Sequence, residues 1–287
     1  MKVYLNGKLV DKNDANISIF DHGFLYGDGA FEGIRSYGGL VFKLTEHIDR
    51  LYETCHTMMI SVSLTKKQME KAIVDTLKAN KLKDAYIRVI VTRGSGDLGL
   101  DPRKCAGNSS VIVITDKITL YPKELYKKGM EIITVPTLQN NPNALNPQLK
   151  SLNYLNNIMA KIEATNAGYN EAIMMDESGY VTECTGDNIF LIKDGVLSTP
   201  VQGHLKGITR QSVLDLAKKA KIEIKEGFIT RHEVYVADEC FLTGTAAEII
   251  PIVKVDGRQI GAGKPGKTTL KLIDQFHKLT EKDGVKY

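Results

Sequence analysis

The sequence predicts an α+β fold in two parts, and three observations carry this. Strand-like and helix-like stretches are mixed without the regular alternation of a doubly wound sheet. The pattern changes across a polar connection at 117–128 that contains Tyr121-Pro122. The 287 residues, 43% hydrophobic and 25% charged, suit a globular chain that buries a sizeable core. The expected parts are a small α/β domain over 1–120, a connecting loop over 121–128 and a larger domain over 129–287.

In chain order, two short apolar runs at 3–5 and 9–10 flank Asn6-Gly7, a strong hairpin signal. The stretch from Asp21 to Arg35 holds glycines at 23, 27, 29 and 33, too many for a helix, and reads as a loop entering a strand. Thr45 can cap a helix whose apolar face is Ile48, Leu51, Cys55 and Met58. Thr65 and Gln68 form a capping box ahead of Met69, Ile73 and Leu77. Over 86–93 a period of two puts Ile87, Val89 and Val91 on a core face and Tyr86, Arg88, Ile90 and Thr92 on the other. A half-solvated sheet face would explain the second set. An arginine among aliphatic strand neighbours is costly unless paired, so that face also suits an anion. A strand follows at 111–115. Beyond the connection, strands at 131–135 and 171–175 bracket a helix at 153–167 that Gly168 stops. Turns at 176–179 and at Asp194-Gly195 imply hairpins. Helices open at Thr209 and at Thr230, where Glu233 completes a capping box. A strand at 239–243 runs into Gly244-Thr245-Ala246-Ala247, and a last helix covers 267–282.

Composition excludes several classes. The formal charge of +4 arises from interspersed lysines and carboxylates with no basic block, which gives no indication of nucleic acid. No apolar run approaches membrane-spanning length. Cys55, Cys105, Cys184 and Cys240 lie far apart without a CxxC pair and read as free thiols in a reducing compartment. Together with a hairpin-like start that lacks an apolar signal region, they predict a cytoplasmic protein. The six histidines show no metal-ligand spacing, so no metal is expected. Gly261-Ala262-Gly263-Lys264-Pro265-Gly266-Lys267-Thr268 matches the phosphate-loop pattern of nucleotide hydrolases, but no buried strand precedes it and a single helix is all that follows. Gly94-Ser95-Gly96-Asp97-Leu98-Gly99 matches the dinucleotide pattern, but Asp101-Pro102 stands where a helix should open. A nucleotide hydrolase using Lys267 is therefore a remote alternative.

A different set of residues holds together. Lys150 lies between a loop rich in asparagine and proline and a helix, and Tyr154 follows four residues later. Glu183 sits in a polar break between two strand patterns. Gly207-Ile208-Thr209 opens a helix whose first N–H groups favour an anion. Gly244-Thr245-Ala246 offers further backbone donors. Each signal alone has an ordinary structural reading, Lys150 being one of 38 basic residues. Jointly they supply what a pyridoxal 5′-phosphate (PLP) site requires: a Schiff-base lysine, an acid for the ring nitrogen, a donor near the ring hydroxyl and a phosphate cup.

From about Tyr4 to about Phe276 the chain resembles the branched-chain amino acid aminotransferases of the class IV, fold type IV, PLP family. Seven separated motifs carry the resemblance. They are Tyr26-Gly27 with Phe31-Glu32-Gly33-Ile34-Arg35; Glu46-His47-Ile48-Asp49-Arg50-Leu51; Ala85-Tyr86-Ile87-Arg88; Lys150 with Asn153-Tyr154-Leu155; Glu183 with Asn188-Ile189-Phe190; Gly207-Ile208-Thr209-Arg210; and Ala237-Asp238-Glu239 with Gly244-Thr245-Ala246-Ala247-Glu248-Ile249. The resemblance implies a small N-terminal α/β sandwich domain and a larger C-terminal pseudo-barrel domain. It implies that Lys150 carries the cofactor and shuttles the proton, that Glu183 pairs with the ring nitrogen and that Tyr154 bonds the phenolic oxygen. Arg50, Ile208, Thr209 and Thr245 would form the phosphate cup, with Leu205 against the ring. Tyr26, Phe31, Arg35, Tyr86, Arg88, Thr245, Ala246 and Ala247 would bind substrate. The implied substrates are leucine, isoleucine and valine with 2-oxoglutarate, giving branched 2-oxo acids and glutamate. The implied assembly is a homodimer or higher homo-oligomer in which the partner lends a loop, here Leu98-Gly99-Leu100. Relatives of the same fold that are D-amino acid transaminases carry a histidine in the loop that here reads Arg93-Gly94-Ser95-Gly96-Asp97-Leu98. Aminodeoxychorismate lyases lack the Ile34-Arg35 and Tyr86-x-Arg88 features. Two departures stand out: Lys150 to Tyr154 is one residue shorter than the common bacterial spacing, and Cys184-Thr185-Gly186-Asp187 replaces a stretch usually rich in glycine and serine.

Overall fold

The alternating stretch around Arg88 becomes the middle strand of the first of two units into which the chain divides. A computed structural model describes residues 1–105, 107, 109–117 and 120–287. The first unit comprises Met1–Ile118, Leu149–Asn153 and Thr280–Tyr287, the second Thr119–Gln148 and Tyr154–Leu279. Two segments from the stretch expected as the second domain, Leu149–Asn153 and Thr280–Tyr287, thus group with the first.

The chain opens with β1 (Lys2–Leu5), β2 (Lys8–Asp11), α1 (His22–Tyr26), β3 (Gly29–Tyr37), β4 (Leu40–Phe42), α2 (Leu44–Thr57), α3 (Lys66–Ala79), β5 (Ala85–Thr92) and β6 (Ser110–Asp116). It continues with α4 (Lys123–Lys128), β7 (Met130–Thr134), α5 (Leu155–Asn166), β8 (Ala172–Met175), β9 (Tyr180–Cys184), β10 (Asn188–Lys193) and β11 (Val196–Pro200). Then come α6 (Ile208–Lys219), β12 (Ile224–Gly227), β13 (Ile229–Thr230), α7 (Arg231–Tyr235), β14 (Glu239–Gly244), β15 (Glu248–Val255), β16 (Arg258–Gln259) and α8 (Lys267–Thr280). The last strand, β17 (Gly284–Lys286), returns to the first unit.

The first unit is an antiparallel sheet in the order β17-β4-β3-β5-β6-β1-β2. Its core face carries Ala30, Ile34, Ile87, Val89, Val91, Val111 and Val113. Against them pack Ile48, Leu51 and Cys55 of α2 and Met69, Ile73 and Leu77 of α3, as the sequence periodicity predicts. Each fully buried aliphatic side chain contributes about 1.5–3 kcal/mol. The Asn6-Gly7 turn has positive φ at both residues (46° and 91°), which suits a two-residue hairpin. The Thr65–Gln68 capping box forms, with Gln68 N–H donating to Thr65 Oγ1 at 3.3 Å.

Several boundaries differ from expectation. His22–Tyr26 is a short helix rather than loop: Asp21 accepts from Gly23 N–H at 2.8 Å, and Gly27, at φ 69°, ends it. Asp21 is itself held by Thr92 Oγ1 at 2.8 Å, so tertiary bonds override glycine's weak helix propensity. Helix α2 starts at Leu44 behind Lys43, not at a Thr45 cap, because Lys43 is fixed by ion pairs to Glu46 and Asp283 at 2.8 and 2.7 Å. Helix α5 starts at Leu155, and α6 starts behind Gly207 with Thr209 already inside it. The polar connection contains α4, and the Thr230–Glu233 box caps only the five residues of α7.

The second unit is a ten-stranded sheet in the order β12-β11-β10-β14-β15-β7-β8-β9-β13, with β16 on β15. Strand β9 also contacts β10 and β11, so the sheet curls into a pseudo-barrel. The α+β class and the two-part architecture follow as expected. Among the described residues no helix is long and apolar enough to cross a membrane.

Candidate active site

In the first unit, β3 organises the chemistry. Its register with β5 pairs Gly33 with Arg88 and Arg35 with Tyr86, so Phe31, Gly33, Arg35, Tyr86 and Arg88 share the face opposite the core. Segment Leu149–Asn153 lies against the start of this strand. Phe31 N–H donates to the Lys150 carbonyl at 3.0 Å, and Leu152 N–H donates to the Gly29 carbonyl at 2.8 Å. These bonds place Lys150 Nζ 4.6 Å from the centroid of the Phe31 ring. Arg88 Cζ stands 4.5 Å from the same ring, and Arg88 Nη2 donates to the Tyr86 hydroxyl at 3.0 Å. An amine, a guanidinium and a phenol thus gather around one aromatic ring, a set that can receive an anionic substrate next to a nucleophilic nitrogen. Gly33 makes room, since a Cβ there would overlap the Tyr86 hydroxyl. Arg35 lies 5.1 Å from the Tyr37 ring. Tyr26 is further along, its hydroxyl donating to the Leu98 carbonyl at 2.5 Å, while Leu98 and Leu100 are exposed.

On the core face, Arg50 of α2 is buried. Its Nε and Nη2 donate to the two oxygens of Glu32 at 2.7 and 2.8 Å. Burial alone would raise the Glu32 pKa. The charges and hydrogen bonds of Arg50 and His47 hold it well below the usual carboxylate range.

In the second unit, Glu183 lies on β9 and is 8% exposed. Gln139 Nε2 donates to one of its oxygens at 2.8 Å, and Asn188 Nδ2 and the Leu205 N–H donate to the other at 3.1 Å each. Three N–H donors thus converge on one carboxyl group. Asn188 Nδ2 also bonds the Leu205 carbonyl at 2.9 Å, so one side chain fixes both Glu183 and Leu205. Gly207 must lack a side chain, because its Cβ would meet Asn188 Oδ1. Thr209 is buried in the first turn of α6. Thr245, Ala246 and Ala247 form the turn between β14 and β15. Glu248 closes that turn at φ 59° and pairs with His277 at 3.0 Å. Tyr154 is the residue at the N-terminal boundary of α5.

The unusual Cys184-Thr185-Gly186-Asp187 stretch acquires a reason. Thr185 donates its N–H and hydroxyl to buried Glu171 at 2.9 and 2.5 Å, and Tyr121 lies 3.4 Å from both Glu171 and Asp187. Asp187 occupies the space that a side chain at Gly244 would fill. Sequence reasoning missed Gln139, Asn188, Glu171, Glu32 and His47 as partners of this machinery. Glu32, His47 and Asn188 lie within the motifs that carry the resemblance, Gln139 and Glu171 lie outside them, and none has a periodic or capping signal.

The residues fit PLP. Lys150 supplies an amine beside an aromatic ring. Glu183 is a carboxylate aimed by N–H donors, as a protonated ring nitrogen requires. Helix α6 opens on Gly207 with no side-chain cap among the described residues, which suits a phosphate.

Comparison with known proteins gives consistent results. The sequence profile described as amino-transferase class IV matches residues 29–255. A provisionally named branched-chain-amino-acid aminotransferase of Methanocaldococcus jannaschii is 52% identical over 288 residues, covering 100% of this chain and 99% of the relative. The crystal structure of the Escherichia coli branched-chain amino acid aminotransferase superposes with a TM-score of 0.94 at 34% identity, covering 97% of this chain and 94% of that one. A T.th. branched-chain amino acid aminotransferase solved with pyridoxamine 5′-phosphate gives 0.93 at 34% identity, covering 98% and 94%.

Proposed function

The chain belongs to the class IV aminotransferase family, and we propose that it transfers the amino group of leucine, isoleucine or valine to 2-oxoglutarate by way of bound PLP. The activity is that of a branched-chain amino acid aminotransferase. Bound PLP supplies the electron sink that lets the substrate α-carbon give up its proton.

The protein's own groups divide the remaining work. Lys150 would hold the cofactor through its amine and, when that amine is free, would move the proton from the substrate α-carbon to C4′ of the cofactor. Its backbone bond to Phe31 N–H keeps that amine at one place on the sheet face. Glu183 holds the ring nitrogen in its protonated form, and Tyr154 bonds the phenolic oxygen. Arg50, Ile208, Thr209 and Thr245 hold the phosphate, and Leu205 packs on the ring. Arg88 and Tyr86 receive the substrate carboxylate or the acidic end of glutamate, with Tyr26, Arg35 and the Thr245-Ala246-Ala247 turn assisting. Phe31 lines the apolar portion. The observation that carries this reading is Lys150 Nζ at 4.6 Å from the Phe31 ring that Arg88 also contacts.

The protein works as a homodimer or higher homo-oligomer. Support comes from Leu155, Ile158, Met159 and Ile162, exposed at i, i+3, i+4 and i+7 along α5. A cytoplasmic setting suits four cysteines that are all free thiols.

Purified protein is expected to show a visible cofactor band that Lys150→Ala removes. An unchanged spectrum in the variant would sink the assignment. Among L- and D-amino donors with 2-oxoglutarate, L-leucine should be active; activity with D-alanine and none with L-leucine would overturn the substrate.

A further inference from the structure

Glu32 is a fully buried carboxylate on the core face of β3, between the apolar positions Ala30 and Ile34. It accepts three hydrogen bonds from α2: Arg50 Nε at 2.7 Å, Arg50 Nη2 at 2.8 Å and His47 Nδ1 at 2.8 Å. His47 and Arg50 are three residues apart and so share one face of the helix. Burial pushes the His47 pKa down, and the charges of Arg50 and Lys150 add to this against the pull of Glu32. Burial thus favours the neutral ring. A carboxylate can only accept, so the ring's single proton sits on Nδ1.

The cluster is one anion, one cation and one neutral donor. Replacing a buried ion pair by well-packed apolar groups is often neutral or stabilising, so stability is a weak explanation for keeping three polar side chains here. Geometry is a better one. The two-point bond to Glu32 fixes the plane and direction of a guanidinium that would otherwise swing on a flexible stem. His47 occupies a lone pair of the same Glu32 oxygen that receives Nη2, which holds the carboxylate in turn. The neighbouring Phe31 N–H fixes the Lys150 backbone at 3.0 Å. Two successive residues of β3 thus set the position of both groups, one through its side chain and one through its backbone.

We propose that Glu32 and His47 are positioning residues that aim Arg50 at the phosphate of the cofactor. This rests on the reading of Arg50 as a phosphate ligand.

The test compares affinity for PLP with affinity for pyridoxal, which has the same ring and aldehyde but no phosphate. The 287-residue chain is depleted of cofactor and refilled with each, and binding is read from the absorption band. Arg50→Ala, Glu32→Gln, Glu32→Asp and His47→Ala are compared with the natural sequence. Glu32→Gln should weaken PLP binding about tenfold, as expected for losing a hydrogen bond to a charged group, and leave pyridoxal binding within about twofold. His47→Ala should do the same to a smaller extent. Glu32→Asp keeps the charge but is too short to span both guanidinium contacts, and carries the test should Glu32→Gln not fold. If Arg50→Ala lowers the preference for PLP over pyridoxal while the Glu32 variants leave it unchanged, the positioning role is wrong. If Arg50→Ala also leaves it unchanged, the phosphate-ligand reading itself fails.

Discussion

Gly33→Ala is a small change with a calculable consequence. Gly33 faces Arg88 across the β3–β5 pair, and a Cβ there would overlap the Tyr86 hydroxyl, with the far end of the ring the next nearest. The backbone does not resist, because Gly33 is not among the residues with positive φ. Alanine in a strand interior is in fact favoured over glycine by about 0.5–1 kcal/mol. The half-buried Tyr86 ring must instead swing aside and give up its 3.0 Å bond from Arg88 Nη2. The fold should therefore keep its stability to within about 1 kcal/mol, the gain in backbone entropy offsetting the displaced ring. The substrate carboxylate would lose one hydrogen bond to a charged or phenolic partner. Such a bond contributes about 1.5–3 kcal/mol, which corresponds to a fall of about 10- to 150-fold in kcat/KM. Steady-state rates with L-leucine and 2-oxoglutarate, alongside a thermal melt, measure both quantities. Tyr86→Phe removes the closest overlap and the hydrogen bond at stake, so adding Gly33→Ala to it should cost little more than Tyr86→Phe alone. Wild-type kcat/KM in Gly33→Ala, or fully additive losses in the double variant, would refute the argument.

Other outcomes follow from buried groups elsewhere. Burial and the nearby Arg210 push the His204 pKa down from 6.5 to about 4. The folded state therefore holds this ring neutral while the unfolded chain takes up a proton below pH 6.5. Stability should fall as pH drops from 6.5 to about 4, by up to about 3 kcal/mol at about 1.36 kcal/mol per unit. In urea titrations His204→Gln should show a shallower loss than wild type across that window; parallel curves would exclude the effect. Cys55, Cys184 and Cys240 are buried, and burial raises all three pKa values, that of Cys55 to about 12. A thiol reagent should label only Cys105 in the native protein and all four cysteines in denaturant. If α5 carries the proposed contact between copies, Leu155→Glu with Met159→Glu on its exposed face should give monomer in sedimentation experiments where the natural sequence gives a dimer or larger species.

Features set by neighbours along the chain were legible in advance. The two faces of β5, the Asn6-Gly7 hairpin and the Thr65–Gln68 and Thr230–Glu233 boxes all formed. Each is determined by residues within a few positions of one another. The failures share the opposite cause. The start of α2 is fixed by Asp283, and α1 forms because Asp21 is held from β5. Gln139 reaches Glu183 across 44 positions, and Glu171 meets the Thr185 loop across 14. No local pattern announces such partners. Lys150 and Glu183 could be singled out from their local contexts taken together and from the resemblance, whereas the residues that hold them in place needed coordinates.

The return of the chain to its first unit has a consequence for synthesis. Strand β17 pairs with β4 only through residues 284–286, and Leu149–Asn153 reaches β3 only after residue 148. During translation the sheet that appears first is thus the last to be finished. Until then β4 presents an open edge of backbone donors and acceptors, the kind of template on which nascent chains stick to one another. The second unit, by contrast, has all its strands by residue 259. Removing residues 283–287 should leave that edge permanently open and send much of the protein into aggregates, even though no residue of the proposed catalytic set has been touched.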